Sequence, residues 1–418
     1  MKRVYPRHII NFDMGFFALA IKMIIEGKAI YGDYIATFEK KFADYIGISY
    51  AIGVDSARKG LFLILKNLNF SENDEVILPA YTFHALPVAV IACNLKPVFV
   101  DIDADTSNIN DSLIEQSVNA KTKAIIITHM FGQPCNMESI MKIAKKYNLA
   151  VIEDCAHACG AKYQGKRVGS LGDAAIFSFK LGKNLPCFGG GMITTNRVDL
   201  YNNLRVILKK SFTPVLKSVF KEVISSFLSF CIVQKQIFSN IIFPAIKILS
   251  FLGCDYIDRR VEEKIDLNND LISIKKQTKL INLQAAVGIR QLLRIDDINQ
   301  KRRINAQALI RRLKKVKSIC IPLVIPDTEA IYLYFRIKVQ NSKLFRKKLL
   351  DYGIDTKRDD MNACSNAKIF EKYKAFCPVA EDLNYKSIEV PNNHLLNEED
   401  IRYIARYIEC VSEKINEA

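Results

Sequence analysis

Residues 150–196, AVIEDCAHACGAKYQGKRVGSLGDAAIFSFKLGKNLPCFGGGMITTN, carry the pattern that decides the fold. Their first five residues form an apolar run that ends in the carboxylate of Asp154, which is typical of a buried strand in a parallel sheet. His157 follows three positions later, and Ser178 and Lys183 lie five apart further along the chain. Because α/β proteins bind ligands at the carboxyl ends of parallel strands, these side chains are predicted to surround a ligand site.

The rest of the chain extends this pattern in both directions. Strands are predicted at 49–54, 75–79, 97–103 and 124–128, and helices at 34–47, 59–66, 83–93 and 137–147. Strands that alternate with helices indicate βαβ units and a parallel sheet covered on both faces. Residues 315–418 mix strands such as 331–339 with helices such as 399–415, which indicates a smaller α+β domain. We therefore predict a large α/β domain at 1–204, an apolar basic insertion at 205–275, and a connecting helix with a small C-terminal domain at 276–418.

Composition narrows the class of protein. The 418 residues include 60 Lys and Arg against 44 Asp and Glu, a net charge of +16, which raises the question of a polyanionic partner. Nucleic acid is not the favoured partner, because the sequence has no basic patch interleaved with aromatic residues and no helix-turn-helix signal. Eleven cysteines without a CxxC pair indicate a reducing compartment rather than a disulfide framework or a metal site. The N-terminus has no apolar signal-peptide core, so a cytoplasmic location is expected.

The apolar excess is concentrated in residues 218–253, SVFKEVISSFLSFCIVQKQIFSNIIFPAIKILSFLG. Lysines interrupt this segment, so its apolar runs reach only about a dozen residues, which is too short to span a bilayer. Three interpretations remain: contact with a membrane surface, contact with a second subunit or a partner, and ordinary buried helices. Basic residues around an apolar segment suit an anionic lipid surface, and we expect peripheral attachment to the inner face of the cell membrane.

The chemistry of the 150–196 block points to one cofactor. A carboxylate against a pyridinium nitrogen keeps that nitrogen protonated, and a lysine forms a Schiff base with an aldehyde. A pyridoxal phosphate enzyme supplies these two groups. The cofactor's phosphate requires free N–H groups at a helix N-terminus and hydroxyl donors, which the turn at 55–58 and Ser178 offer.

Several segments, in order along the chain, resemble the DegT/DnrJ/EryC1/StrS family of sugar aminotransferases of fold type I, which depend on pyridoxal 5'-phosphate. The segments that carry the resemblance are GDYIATFEKKFADYIG at 32–47, EVILPAYTFHALPVAVIACNLKPVFVDID at 75–103, HMFGQP at 129–134, EDCAHACGAKYQGKRVGSLGDAAIFSFKLGKN at 153–184 and LQAAVGIRQL at 283–292. Each motif alone is weak, but together they are specific, and the resemblance covers most of the chain outside 205–275.

The resemblance implies a role for each matching residue. Lys183 is the Schiff-base lysine and moves the proton during catalysis, and Asp154 pairs with the pyridinium nitrogen. His157 stands near the ring oxygen and face of the cofactor, where the family often has Gln. Ser178 holds the phosphate, and Tyr81 stacks on the pyridine ring. The family also implies a homodimer that transfers an amino group from L-glutamate to a nucleotide- or lipid-linked keto-sugar, for surface polysaccharide or glycolipid synthesis.

The sequence departs from the family pattern at the phosphate and substrate contacts. The family's S-G-T phosphate turn is Ser56-Ala57-Arg58 here, so a guanidinium replaces a hydroxyl next to the phosphate. Arg58 is thus either a phosphate contact or a salt-bridge partner. The family's N-Y-R segment, which comes from the neighbouring subunit, aligns with 277–279, so Gln277 is the predicted cofactor contact and Lys279 the predicted substrate contact. The family's G-E-G-G segment after the lysine is Phe188-Gly189-Gly190-Gly191 here, so the usual Glu is missing.

Two other functions remain to be weighed. The fold is also compatible with a binding or regulatory protein without catalytic activity, given the changes at Arg58 and Phe188. A sugar dehydratase of the same family typically has His in place of the Schiff-base lysine, so Lys183 argues against that activity. His157 has a simpler interpretation as a buried core histidine. Cys155 and Cys159 are predicted to be packing residues, and we assign no metal ligands.

Overall fold

The computed structural model describes residues 3–252, 266–276, 279–323, 325–358 and 361–416. Its strands are β1 (Tyr50–Val54), β2 (Glu75–Pro79), β3 (Tyr81–Thr82), β4 (Lys96–Val100), β5 (Thr122–Thr128), β6 (Ala150–Asp154), β7 (Lys162–Tyr163), β8 (Lys166–Arg167), β9 (Ala174–Ser178), β10 (Gly191–Thr195), β11 (Ile319–Cys320), β12 (Thr328–Glu329), β13 (Phe335–Val339), β14 (Asn362–Ala363) and β15 (Ser387–Val390).

Helices connect and cover these strands. The α-helices are α1 (Met14–Ile25), α2 (Tyr34–Ile46), α3 (Ala57–Asn67), α4 (Ala85–Ala92), α5 (Met137–Tyr147), α6 (Val198–Lys209), α7 (Leu216–Ile232), α8 (Lys235–Ile237), α9 (Phe243–Phe251), α10 (Leu267–Lys275), α11 (Asn282–Leu292), α12 (Ile295–Leu313), α13 (Ser342–Asp351), α14 (Pro378–Lys386) and α15 (Glu398–Asn416). Short 3-10 turns lie at Asp111–Leu113, Glu115–Ser117, Met130–Gly132, Cys364–Asn366 and Lys368–Tyr373, and a π-helical turn lies at Phe238–Ile242.

A seven-stranded sheet forms the centre of the large domain, in the order β1-β10-β9-β6-β5-β2-β4. Strand β10 is antiparallel to both of its neighbours, and β9, β6, β5, β2 and β4 are parallel to one another. Side chains alternate between two apolar clusters: Ile152 and Ile176 pack on the side of α3, whereas Phe177 packs with α2 on the other side. The prediction of an α/β fold with a mostly parallel, doubly covered sheet is confirmed.

The local sequence explains where the helices that flank the site begin and end. Helix α2 ends at Gly47, whose φ of 81° is the left-handed conformation that glycine adopts most readily at a helix C-terminus. Helix α5 begins after Asn136, whose side chain accepts a hydrogen bond from the N–H of Ser139. Residues 283–313 have a helical sequence pattern, and in the structure they form two helices, α11 and α12. Of the strand predicted at 331–339, only Phe335–Val339 is a strand.

A three-stranded sheet, β11-β13-β15, packs with α12, α13 and α15 in a separate apolar cluster. The N-terminal segment joins this cluster through Tyr5, whose N–H donates to the carbonyl of Gly353 at 2.8 Å. The predicted boundary between residues 204 and 205 falls inside α6. The division into domains therefore stays a prediction, although the small apolar cluster lies where the sequence places a second domain.

The described part of the predicted insertion is helical and packs at three places. Helix α7 lies on α1, where the ring of Phe17 contacts Phe227 and Phe230 at centroid distances of 5.1 and 5.4 Å. The helix formed by α8, the π turn and α9 packs against Leu350 of α13. Helix α10 lies against α3 and α4 and buries Ile274 in the main core. Residues 253–265, including the last residue of the 218–253 segment, lie outside the described residues.

Candidate active site

A cavity of about 260 Å³ opens at the carboxyl end of the central sheet. It lies beside the ends of β5, β6 and β9 and the N-terminus of α3, as expected for a ligand site in an open α/β sheet. The walls include six of the residues predicted from the sequence: Ala57, Arg58, Asp154, His157, Ser178 and Lys183. Segments that are more than 100 residues apart in sequence therefore meet at one place.

Asp154 ends strand β6 and is almost completely buried. Its Oδ1 accepts a hydrogen bond from the N–H of Ala156 at 2.9 Å, which fixes the carboxylate at the strand end. Burial raises the pKa of Asp154, and the Ala156 N–H and the Lys183 ammonium offset only part of that effect. A cationic ring nitrogen placed beside this carboxylate would stabilise its charged form.

Lys183 lies in the loop that connects β9 to the antiparallel strand β10. Its backbone N–H donates to the carbonyl of Lys180 at 3.0 Å. The neighbouring Asn184 anchors the loop, because its Nδ2 donates to the carbonyl of Cys159 at 2.7 Å and its own carbonyl accepts from Asn11 at 3.1 Å. These bonds hold the lysine over the cavity, close enough for its charge to influence the pKa of Asp154.

His157 is buried and also lines the cavity. Burial, together with the positive charges of Lys183 and Lys357, lowers the pKa of His157 well below its ordinary value, so the imidazole is neutral near pH 7. The ring lies nearly parallel to Phe131 at 5.9 Å and perpendicular to Tyr334 at 5.3 Å. Its Nδ1 is buried without a hydrogen-bond partner, which a polar group of a bound ligand would supply.

The opposite wall has the groups that a phosphate requires. Ser56 is the N-cap residue of α3, and Ala57 and Arg58 begin the helix, so free backbone N–H groups lie at this end of the cavity. Gly191 permits the close approach of β10, because a Cβ there would lie 2.7 Å from the N atom of Ala57. Arg58 lines the cavity, and its Nη1 lies 3.4 Å from Oδ1 of Asp270 on α10, so the salt bridge is present and the phosphate contact stays a prediction.

The structure places a different aromatic ring from the predicted one at the cavity wall. Tyr81 is completely buried, lies outside the cavity wall, and its hydroxyl accepts a bond from Nη1 of Arg336 at 3.4 Å. Phe83, two residues further, lines the cavity instead. The reason is local: strand β3 ends at Thr82, and the chain turns into α4, which brings Phe83 rather than Tyr81 to the site.

Two further predicted contacts, Gln277 and Lys279, are not among the residues that line the cavity. Gln277 falls outside the described residues. Lys279 lies away from the cavity of its own chain, where its Nζ donates to the carbonyl of Lys209 at 3.1 Å and its N–H donates to the carbonyl of Phe212 at 3.2 Å. Because both residues were assigned to the neighbouring subunit's site, their roles stay predictions.

The sequence did not single out Glu153 and His129, which form a buried pair next to Asp154. Glu153 accepts hydrogen bonds from the N–H groups of Gly169, Leu171 and Gly172 at 2.7–2.8 Å, and it lies 2.9 Å from Nε2 of His129. Nδ1 of His129 accepts the N–H of Cys135 at 3.0 Å, so Nε2 carries the proton and donates to Glu153. The pair ties the loop before β9 to the strand that ends in Asp154.

His129, Glu153 and Cys155 also lie close enough together to hold a metal ion. Both ring nitrogens of His129 and both carboxylate oxygens of Glu153 are already engaged in hydrogen bonds. Burial raises the pKa of the Cys155 thiol well above its ordinary value, which disfavours the thiolate that binds metals. The geometry therefore favours a structural role for this group.

Comparison with known proteins gives a family and a set of relatives. The sequence model of the DegT/DnrJ/EryC1/StrS aminotransferase family matches residues 15–227 and 239–409. The chain is 33% identical over 396 residues to a dTDP-3-amino-3,6-dideoxy-alpha-D-galactopyranose transaminase of Aneurinibacillus thermoaerophilus, covering 94% of this chain and 93% of the relative. It is 31% identical over 389 residues to the GDP-perosamine synthase of Escherichia coli O157:H7, covering 90% of each.

Solved structures show the same fold. An aminotransferase from Psychrobacter cryohalolentis superimposes with a TM-score of 0.78 at 25% identity and covers the full length of both chains. DesV of S. venezuelae, solved in complex with a ketimine intermediate, gives a TM-score of 0.74 at 25% identity and covers 96% of this chain and 95% of its own. The unmatched residues between the two parts of the family match, 228–238, fall within the predicted insertion.

Proposed function

The chain belongs to the DegT/DnrJ/EryC1/StrS aminotransferase family, and we propose that it transfers an amino group from L-glutamate to a nucleotide-linked keto-sugar. The observation that carries this proposal is the convergence of Asp154, His157, Ser178 and Lys183 around one cavity. A second carboxylate or a metal centre is not needed, because a transaminase of this family uses pyridoxal 5'-phosphate.

The cavity suits that cofactor by the chemistry of its walls. A buried carboxylate, Asp154, lies at the end of β6, and a lysine, Lys183, lies on the loop above it. The unpartnered Nδ1 of His157 offers a contact to a polar group of the ring, and Phe83 offers an aromatic surface to its face. Ser178 and the N-terminus of α3 offer hydroxyl and N–H donors to its phosphate.

Each residue then has a distinct task. When bound, pyridoxal phosphate carries the amino group between donor and acceptor and delocalises the negative charge left when a carbon loses its proton. Asp154 keeps the ring nitrogen protonated through its charge. Lys183 holds the cofactor covalently between turnovers and moves the proton at the reacting carbon. His157, neutral at pH 7, orients the ring without adding a second positive charge.

The named relatives favour a nucleotide-linked substrate. The Aneurinibacillus and Escherichia enzymes are named for dTDP- and GDP-linked sugars. A further relative, the spore coat polysaccharide biosynthesis protein SpsC of Bacillus subtilis, is 30% identical over 75% of this chain and 70% of its own length. We infer that the product serves a surface polysaccharide or glycolipid. We also infer a homodimer in which Gln277 and Lys279 reach the partner's site.

We also propose that the protein works in the cytoplasm, attached peripherally to the inner face of the cell membrane. Among the residues that the structure describes, no helix is both long and apolar enough to cross a bilayer. Attachment would therefore use helices that lie on the surface. A lipid-linked keto-sugar is the second candidate substrate, and the exposed apolar side chains of the insertion favour it.

Reduction of the purified holoenzyme with borohydride, followed by mass spectrometry of its peptides, tests the cofactor assignment. We expect a pyridoxyl adduct on Lys183 and on no other lysine. Lys183→Ala removes the adduct and the transfer of amino groups from glutamate to dTDP- and GDP-linked keto-sugars, whereas Lys180→Ala, a lysine that lines the same cavity, retains the adduct. Normal turnover by Lys183→Ala would refute the mechanism. A bound cofactor without turnover on any keto-sugar would favour the non-catalytic protein instead.

A further inference from the structure

The insertion has two helices whose outer faces are apolar and exposed. On α7 the exposed apolar side chains recur at helical spacing: Leu216, Phe220, Ile224, Phe227, Leu228 and Ile232. On the helix formed by α8, the π turn and α9 they are Ile237, Ile241, Ile248 and Phe251. We call these two sets together the insertion face.

Phe227 contacts the ring of Phe17 on α1, but the other side chains of the set lie outside the packed faces, because each helix buries a different apolar face among the described residues. The inner face of α7 buries Val219 and Val223 in the cluster that contains Phe17 of α1. The inner face of the second helix buries Phe238 and Ile246 against α13. A surface helix normally has a polar outer face, so a helix that is apolar on both sides indicates a missing apolar neighbour.

The exposed apolar residues are also unusually concentrated. Of the 28 large apolar side chains that lie exposed among the described residues, 13 fall between residues 212 and 252. Isolated exposed apolar side chains are normal in proteins, but a stripe of them along one helix, as on α7, marks a contact surface. Among the 13 residues between 212 and 252, Phe251 is the most exposed, at 86%, and it ends the second helix.

Charge identifies the neighbour. Residues 205–252 contain seven basic residues and one acidic residue, Glu222. Lys217 and Lys221 follow Leu216 and Phe220 directly on α7, so they border the exposed stripe. Lysines beside an apolar stripe extend their ammonium groups toward lipid phosphates while the stripe enters the acyl boundary.

We propose that the insertion face binds an anionic lipid surface, with the stripe of α7 inserted and Lys217 and Lys221 paired with lipid headgroups. A second copy of this chain fits the face less well, because a two-fold contact places one strongly basic patch against an identical basic patch that has few acidic partners to offer. The proposal rests on the membrane attachment proposed above and is independent of the transamination chemistry.

Flotation of the holoenzyme with vesicles of phosphatidylcholine, and of phosphatidylcholine mixed with phosphatidylglycerol, tests it. We expect the protein to float with the anionic vesicles only. Lys217→Gln with Lys221→Gln should weaken that binding about 25-fold, since each basic residue near the surface contributes about a fivefold factor. Phe220→Ser with Ile224→Ser should weaken it about tenfold or more through lost apolar contact.

Matched controls use exposed residues elsewhere in the chain. Lys314→Gln with Lys315→Gln, and Leu293→Ser with Ile304→Ser, should bind as the wild type does. Binding equal to that of the wild type in the α7 variants, or no binding to anionic vesicles at all, would overturn the proposal. So would a change from dimer to monomer caused by Phe220→Ser with Ile224→Ser, because it would assign the face to a second copy. Amino transfer to a soluble keto-sugar, measured for every variant, separates these outcomes from failure of the proposed function.

Discussion

Replacing Glu153 by Gln tests whether the buried pair beneath the cavity holds the site in place. The substitution keeps the size of the side chain but changes one acceptor oxygen into an NH₂ group. Oε1 of Glu153 accepts the N–H groups of Leu171 and Gly172, and Oε2 accepts those of Gly169 and His129. In the variant, two of these four donors face another donor, whichever way the amide is turned.

The expected loss of stability follows from the two donors that lose their acceptor. A buried donor that loses its acceptor costs about 1–3 kcal/mol, so two donors cost about 2–6 kcal/mol. The tautomer of His129 gives no relief, because its Nδ1 is occupied by the N–H of Cys135. We therefore expect Glu153→Gln to lower the free energy of unfolding by about 4 kcal/mol.

Urea denaturation of both proteins at several pH values measures this loss. Burial acts to raise the pKa of Glu153, but the His129 and backbone hydrogen bonds outweigh it, and the net pKa is lowered. A carboxylate with a lowered folded-state pKa stabilises fully above its ordinary value of about 4.3 and loses that stabilisation as the pH falls through the folded-state value. The gap between wild type and variant should be constant from neutral pH to about 5 and shrink below about 4.

The matched control is Glu75→Gln, which changes a half-buried carboxylate at a strand end that accepts a bond from Asn119. That variant should lose less than about 1 kcal/mol. If Glu153→Gln were as stable as Glu75→Gln at pH 7, the account of Glu153 as the anchor of the 169–172 loop would be refuted.

Two further variants test the backbone and the phosphate wall. Gly169→Ala should destabilise the protein by about 2–5 kcal/mol in urea denaturation, because Gly169 has a φ of +90° and an added Cβ would lie 2.3 Å from the ring of Phe177. Its control is Gly27→Ala, which should lower the stability by only about 1 kcal/mol, because Gly27 has a φ of +67° but no atom lies within 4 Å of an added Cβ. Asp270→Asn should raise the affinity for pyridoxal phosphate about threefold or more in a fluorescence titration, since the carboxylate that pairs with Arg58 opposes a phosphate there; unchanged affinity would show that Asp270 lies outside the field of the phosphate.

The sequence pattern predicted the parallel sheet because most of its strands are short apolar runs that alternate with helical segments. Residues 75–79 and 150–154 are strands with the predicted boundaries, and the 137–147 helix also has its predicted ends. The ends of other elements depend on contacts that periodicity does not encode. The break between α11 and α12 at residues 293–294, for example, interrupts an unbroken helical pattern.

Some residues of the site were predictable from the sequence because they end a predicted strand. Asp154 ends the predicted strand 150–154, so its position at the carboxyl end of the sheet follows from the strand pattern, whereas the strand that ends in Ser178 was not predicted. Tyr81 and Phe83 are two positions apart, and a long strand would place both on one face. The strand ends at Thr82, and only the turn into α4 decides which ring reaches the cavity.

The insertion connects three parts of the protein that have different tasks. Helix α7 lies on α1, and the second insertion helix packs on Leu350 of α13, where Lys247 lies 3.8 Å from Asp351. Helix α10 carries Asp270 to Arg58 at the cavity wall. A lipid surface that binds the insertion face would therefore contact the two helices that pack on α1 and on α13, while the third helix of the same insertion borders the cavity. The insertion would then combine a membrane-binding face with a side chain that pairs with Arg58.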